Sequence, residues 1–415
     1  MLEYYMNLFT PLMLPNGNII PNRLAKAAME ENIADLDFTP SQPLINIYQH
    51  WAEGDVGLII TGNVMIDATA VTGPAGVVLE NDRHLDKFKQ WAKVSRSHGA
   101  QVWMQINHPG RQMQANLGQP TYAPSAIALN MGKLSKMFAT PREMTPQMIK
   151  EVIQRFATTA SLAEQAGFTG VEIHAAHGYL LSQFLSPLSN QRQDEWGGSL
   201  ENRARILIEV VKAVRAKVSN AFAVAVKLNS ADFQRGGFSA DDAKAVVQML
   251  NDLPVDLVEI SGGSYEAPAM QGEARDGRTL AREAYFLEFA EQIQAIAKMP
   301  IMVTGGIRRK VIAEQVLQSG VAMVGMGTAL AIQPDLPNRW KNDTTSLQTD
   351  APALKPITWK NKSLGSLANM AMVRYQLRQL SQNKPTNSQV SPALALGLQQ
   401  LATTYRTYTY KKQLQ

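Results

Sequence analysis

AVAVKLNSADFQRGGFSADDAKAVVQMLNDLPVDLVEIS, residues 223–261, contains one complete strand–helix–strand unit. Ala223–Asn229 is apolar apart from Lys227 and its terminal Asn229, the pattern of a strand covered on both faces. Ser239, with Asp242 three residues on, is a helix-start signature in which each side chain accepts from the other residue's backbone N–H. Asp241–Leu253 then reads as a helix, and Leu257–Ser261 as the next buried strand. Two strands joined through a helix pair in parallel, because a tight hairpin joins only antiparallel strands.

The same unit recurs on both sides. Leu24–Met29 precedes a helix over Ser41–Glu53, Gly57–Thr61 one over Leu85–His98, and Gln101–Asn107 a long loop and then Gln147–Ala166. Val171–His174 leads to Leu200–Val218, Leu257–Ser261 to Glu283–Lys298, and Ile301–Thr304 to Val311–Ser319. Ala322–Gly325 leads to a short segment near Pro334. About eight βα units predict closure into a (β/α)8 TIM barrel. A doubly wound dinucleotide fold needs a glycine fingerprint after its first strand. Here Glu30-Glu31-Asn32 follows, and Gly325-Met326-Gly327 has Leu330 where a third glycine would stand.

Composition narrows the chemistry. With no cysteine among 415 residues, thiolate zinc sites, Fe–S clusters, disulfides and cysteine nucleophiles are excluded. No apolar run is long enough to span a bilayer, and the first residues lack a signal-peptide pattern, so a cytoplasmic protein without membrane attachment is expected. The formal charge is +5, but the segment from Lys341 onward carries +8 and residues 1–340 about −3. The expected division is a barrel over 1–340 and a basic, helical C-terminal extension over 341–415. Helices are expected over Ser363–Leu380 and Pro392–Tyr405. The extension's basic residues are scattered rather than clustered, which reads as solvated helix faces and not as a nucleic-acid surface.

Barrel enzymes place their chemistry at strand C-termini and in the loops that follow. Gly305-Gly306 and Gly325-Met326-Gly327 end the seventh and eighth strands, where glycines let backbone N–H groups approach a phosphate; the alternative is that they only make tight turns. His174 and His177, just beyond the fourth strand, suit two donors on one oxygen; satisfied loop histidines, or metal ligands with Glu172, are the competing readings. Lys227 inside an apolar strand needs a partner, either a cofactor edge or the carboxylate of Glu172 or Glu259.

GVEIHAAHGYLLSQFLSPLSNQRQDEWGGSLENRARIL, residues 170–207, is a distinctive stretch. So are Pro21-Asn22-Arg23 with Ala27-Ala28-Met29, Gln105 with His108-Pro109-Gly110-Arg111, residues 227–232, Ser261-Gly262-Gly263, and TGGIRRKVIAE at 304–314. Over roughly residues 7–340 the chain resembles the Old Yellow Enzyme family of FMN-containing NAD(P)H oxidoreductases. The resemblance implies FMN across the barrel mouth, with Ala27, Ala28 and Met29 against the flavin, Gly62 flanking it and Gln105 on its pyrimidine edge. Lys227 would face N1 and O2, and Gly305, Gly306, Gly325, Met326 and Gly327 would cradle the phosphate. His174 and His177 would hold the carbonyl oxygen of an α,β-unsaturated substrate, with hydride arriving at the β-carbon from flavin N5 and a proton at the α-carbon from Tyr179.

Two positions differ from the family pattern. Glu30 stands beside the flavin where Thr or Cys is usual, and Thr328 stands where an Arg usually meets the phosphate. From the missing cysteines and the chain length, neither the Fe–S cluster nor the dinucleotide domain of some relatives is expected. The implied activity is NADH- or NADPH-dependent C=C reduction. Electron transfer to oxygen or a quinone is the alternative, and a flavin-binding interaction protein a third. The expected partners are small molecules, with no metal; the reading is compatible with self-association.

Overall fold

The computed structural model describes residues 7–267, 286–342 and 350–413. Strands β1 (Leu24–Lys26), β2 (Leu58–Ile60), β3 (Gln101–Asn107), β4 (Gly170–Ala175), β5 (Ala223–Asn229), β6 (Leu257–Ser261), β7 (Ile301–Thr304) and β8 (Met323–Met326) pair in parallel in chain order. β8 then pairs with β1 through Val324 and Leu24, closing the barrel. The first strand ends at Lys26, earlier than its apolar pattern suggested. Ala27 still donates to the Met326 carbonyl at 3.0 Å, and the chain then leaves the sheet at its C-terminal rim.

The outer layer is formed by α1 (Gln42–Glu53), α2 (Leu85–Ser95), α3 (Pro146–Gln165), the short α4 (Leu180–Leu185), α5 (Leu200–Arg215), α6 (Ala240–Leu250), α7 (Leu287–Gln294) and α8 (Lys310–Gln318). Ser41, Thr145, Ser199 and Ser239 each accept a backbone N–H three residues on, and Ser239 and Asp242 form the reciprocal box. Helices α2, α5, α6 and α7 stop at Ser95, Arg215, Leu250 and Gln294, short of the expected His98, Val218, Leu253 and Lys298. The expected start of α7, Glu283, lies outside the described residues. Two short helices, α9 (Thr328–Ile332) and α10 (Leu336–Asn342), complete the barrel.

Strand alternation divides the barrel interior into two zones. Ala25, Leu58, Trp103, Ala225, Leu257 and Met302 point inward and form an apolar layer, sealed from below by Leu12, Leu14 and Ile20. Leu12 and Ile20 belong to an antiparallel pair, Leu12–Met13 with Ile19–Ile20, and Leu14 to the turn between them. One inward position further along β3, β4, β5, β6 and β7 stand Gln105, Glu172, Lys227, Glu259 and Thr304. The barrel is therefore packed with hydrocarbon at one end and polar at the end where its loops open.

The C-terminal extension is fastened to the barrel through its helices. Helix α11 (Lys362–Ser381) packs on α1 and α9, and α12 (Pro392–Gln413) runs eight residues beyond the expected Tyr405. Arg374 pairs with Glu30 at 2.8 Å, Arg378 donates to the Leu398 carbonyl at 3.2 Å, and Arg406 donates to the Ala34 carbonyl. Tyr410 is fully buried, its hydroxyl on the Ala68 carbonyl at 3.0 Å. These arginines satisfy fixed acceptors, whereas Lys355, Lys360, Lys384, Lys411 and Lys412 are exposed. No helix among the described residues is long and apolar enough to cross a membrane.

Candidate active site

The polar layer at the open end forms a connected set. Gln105 donates to Glu172 at 2.6 Å, Lys227 to Glu259 at 2.6 Å, and Thr304 to Glu259 at 2.7 Å. Burial, and then the charge of Glu259, push the Glu172 carboxyl well above its ordinary range. Burial also acts to raise Glu259, but Lys227 and the hydrogen bonds around it outweigh burial and hold it low. Burial would deprotonate Lys227, yet the facing carboxylates raise it, so it stays charged. The question left open by its sequence position is answered for this structure by Glu259.

Above this layer, His174 is the penultimate residue of β4, inside the strand and not beyond it, and its Nε2 lies 3.2 Å from His177 Nδ1. His177 Nε2 lies 2.7 Å from Ser261 Oγ, and its backbone N–H donates to Asn229 Oδ1 at 3.0 Å. That bond helps hold His177 at φ 60°, a left-handed conformation that costs a non-glycine residue about 1–3 kcal/mol. His174 Nδ1 is buried without a hydrogen-bond partner. The Tyr179 ring packs against the His174 ring, centroids 4.8 Å apart, and its hydroxyl lies 3.0 Å from that of Tyr265. Burial, then Tyr265 and Glu30, push the Tyr179 hydroxyl well above its usual value, so it keeps its proton.

The glycine-bearing loops open at the same rim. Gly306, at φ 69°, and Thr328 are exposed. Gly325 faces Thr304, and a Cβ there would collide with its hydroxyl. Met326 is buried as the acceptor for Ala27, and Gly327 caps α9 beside the Met29 side chain. Ala28, Met29 and Glu30 are half-buried along the rim. Gly62 follows β2, and its N–H donates to the Tyr48 hydroxyl at 3.0 Å. That hydroxyl donates to Glu31 at 2.6 Å. A Cβ at Gly62 would meet the Glu31 carboxylate and the Met29 carbonyl, so Gly62 is required by the close approach of these two loops. Every site residue singled out in the sequence therefore lies at one end of the barrel, on or just after seven of its strands, β1 to β5, β7 and β8. The carboxylate of Glu30 is engaged by Arg374 and by the Thr72 hydroxyl.

Tyr265, Ser261 and Arg374 were not foreseen as site residues, and Asn229 was read only as the end of its strand. The first sits in the loop after β6, where Gln112 Oε1 accepts its backbone N–H at 3.3 Å; Gln112 Nε2 also donates to the His177 carbonyl at 3.0 Å. Arg111 holds the neighbouring Glu266 at 2.5 Å, which ties the loop after β3 to the same place. Ser261 could have been read, as Asn229 was, as a strand-end polar residue; nothing local marks Tyr265 or Arg374. Among the described residues, no group of three or more His, Asp and Glu side chains is arranged to hold a metal ion.

The buried imidazoles set a pH dependence. Burial lowers His108 to about 4, and burial together with the positive Lys227 lowers His174 and His177 well below their usual value. The unfolded chain takes up these protons near pH 6.5 while the folded chain does not. Folding stability is thus complete above that pH and falls as pH drops below it. Each imidazole contributes a slope of about 1.4 kcal/mol per pH unit. Urea unfolding at pH 7.5 and 5.5 should show this loss; equal stabilities would contradict the neutral, buried histidines.

Comparison with known proteins agrees with this site. The model of the NADH:flavin oxidoreductase / NADH oxidase family matches residues 7–346. NADH-dependent flavin oxidoreductase iliE of Hypocrea jecorina (strain QM6a) is 36% identical over 384 residues, covering 86% of this chain and 95% of that protein. The iliE protein of Neonectria sp. (strain DH2) is 39% identical over 79% of this chain, which spans only 46% of that longer protein. Among solved structures, an old yellow enzyme homologue from Zymomonas mobilis superposes with a TM-score of 0.69 at 25% identity, over 84% of this chain and all of that one. Morphinone reductase in complex with tetrahydroNAD gives 0.67 at 26% identity, over 81% and 90%. The chain belongs to the NADH:flavin oxidoreductase / NADH oxidase family, the Old Yellow Enzyme family, whose cofactors are FMN and NAD(P)H.

Proposed function

We propose that this oxidoreductase reduces the C=C bond of α,β-unsaturated carbonyl compounds. The observation that carries the reading is the trio His174, His177 and Tyr179: two neutral imidazoles and one protonated hydroxyl packed at the mouth of a closed barrel. The residues present suit FMN. The polar layer offers the Gln105 amide and the Lys227 cation, and glycines stand where the loops after β7 and β8 open. Gln105, Lys227 and the backbone of residues 27–29 would hold the ring system, with Gly62 beside it. Gly305, Gly306, Gly325, Gly327 and Thr328 would hold the phosphate. When bound, FMN supplies hydride taken from NAD(P)H.

The protein's own part is to bind the substrate oxygen, hold the alkene in place and deliver a proton. A neutral imidazole donates through one nitrogen only. The unpartnered Nδ1 of His174 and the His177–Ser261 contact supply the groups that can turn toward a carbonyl oxygen. Charge that builds on that oxygen is then met by fixed donors in a site from which bulk water is largely excluded. Tyr179, held protonated, delivers its proton to the carbon alpha to the carbonyl as a general acid.

His177→Ala is expected to slow enone reduction by about 10²–10³, the usual worth of one such donor, with a rise in KM. Steady-state assays check it, and a change under threefold would contradict the assignment. The function itself is tested by product analysis under anaerobic conditions with NADH and cyclohex-2-enone. Cyclohexanone is expected. NADH consumed only in air, with hydrogen peroxide as product and the enone untouched, would favour the oxidase reading.

A further inference from the structure

Helix α12 carries a line of large apolar side chains that nothing among the described residues covers. Leu394, Leu398, Leu401, Tyr405 and Tyr408 are each between 41% and 72% exposed. They recur at alternating intervals of four and three residues, which at 3.6 residues per turn places all five on one narrow stripe. Isolated exposed leucines are ordinary on protein surfaces; five aligned along four turns of one helix are not.

The helix cannot roll to bury this stripe, because its opposite face is fixed. Ala395 and Tyr410 are buried, Arg406 reaches the Ala34 carbonyl, and Arg378 of α11 holds the Leu398 carbonyl. The spacing is that of a two-helix seam, in which each side chain fits between residues of a facing helix. The flanking Gly397 and Thr404 are small and neutral, so two helices can approach closely without repulsion.

We propose that α12 is a self-association surface that pairs antiparallel with α12 of a second copy of this chain. Leu401 is the midpoint of the stripe, so a two-fold axis there packs Leu401 on its counterpart, Leu398 on the partner's Tyr405 and Leu394 on the partner's Tyr408. Charge decides the direction. Lys412 continues the stripe four residues past Tyr408, with Lys411 beside it. Parallel pairing would bring four lysines together, whereas antiparallel pairing separates the two clusters by nearly the helix length, about 30 Å. The five side chains offer roughly 600 Å² per chain, so the pair buries about 1,200 Å², the lower end of the range for specific interfaces. A lipid surface is the poorer occupant, since a membrane-lying helix sets basic residues along the whole polar face. Here that face is occupied by the protein's own core.

The test uses the full-length, FMN-loaded protein. Light scattering at tens of micromolar should give about twice the 45.6 kDa chain mass, and Leu401→Glu should halve it while NADH oxidation is unchanged. Because the chain has no cysteine, thiol cross-linking reads the register directly. Leu401→Cys should form a cross-linked dimer under mild oxidation, Leu394→Cys should not, and Leu394→Cys with Tyr408→Cys should. A monomeric wild-type protein, a dimer indifferent to Leu401→Glu, or cross-linking of Leu394→Cys alone would each overturn the proposal. So would binding to phosphatidylcholine–phosphatidylglycerol vesicles that Leu401→Glu abolishes.

Discussion

Tyr179→Phe is expected to leave reduction of the holoenzyme by NADH within twofold of wild type and to slow its reoxidation by cyclohex-2-enone by about 10²–10⁴, the range for loss of a positioned acid. The separation follows from the structure. The hydroxyl is the only group removed, and the ring that packs 4.8 Å from His174 remains, so the oxygen-binding pair keeps its support. Tyr265, 3.0 Å away and itself pushed up to about 12, is the neighbouring proton source. Residual turnover in Tyr179→Phe should therefore fall further when Tyr265→Phe is added. Stopped-flow absorbance of the two half-reactions decides the matter. Slowed reduction by NADH with normal reoxidation by the enone would show that the hydroxyl serves the other half of the cycle.

Lys227→Met should cost about 3–5 kcal/mol of folding stability, the penalty for breaking a buried ion pair and leaving one charge alone. Glu259 is fully buried, and Lys227 is its cationic partner at 2.6 Å. With that cation gone, Glu259 loses the charge that holds it low, and beside Glu172, itself pushed well above its ordinary range, it must take up a proton or fold as an uncompensated buried charge. Adding Glu259→Gln should recover part of the loss, because it removes the stranded charge while the Thr304 hydroxyl keeps an acceptor. Chemical denaturation of the apoprotein measures both variants. A loss under about 1 kcal/mol for Lys227→Met would mean that water or another cation reaches Glu259 and that the polar layer is not sealed.

How much of this was readable in the chain depends on how local each signal is. Strands β3, β5, β6 and β7 occupy the residues that their apolar runs marked, because a parallel strand buried on both faces leaves no other pattern. Helix starts were nearly as legible, since Thr145, Ser199 and Ser239 carry the cap in the side chain itself; Ser41, counted into its helix from the sequence, is the cap before it. Helix ends were not, because a helix stops where tertiary packing lets it. The positions of His174, His177 and Tyr179 follow from the end of β4, a local fact. The Arg374–Glu30 pair joins residues 344 apart and depends on where α11 docks, which no window of sequence contains. For the same reason the extension's arginines were read as solvated although they bond to carbonyls of α12 and of the loop after β1.

Electrostatics at the mouth show a similar limit. A glutamate at position 30, read from the sequence, is compatible with a free negative charge beside the cofactor, a protonated acid or a side chain paired with a cation. In the folded chain it is compensated by Arg374, and its field is felt by Tyr179 and Tyr265, whose hydroxyls it helps to keep protonated. The extension thus contributes to the site without supplying a reacting group.

The central claim is that this barrel works as an FMN enzyme with two separable half-reactions, and one anaerobic titration tests it most directly. The purified, full-length protein should show an oxidised flavin spectrum, and heat should release FMN. NADH or NADPH should bleach that spectrum in the absence of oxygen, and cyclohex-2-enone should then restore it. A protein that releases FAD, binds no flavin after reconstitution with FMN, or stays bleached when the enone is added would contradict the account.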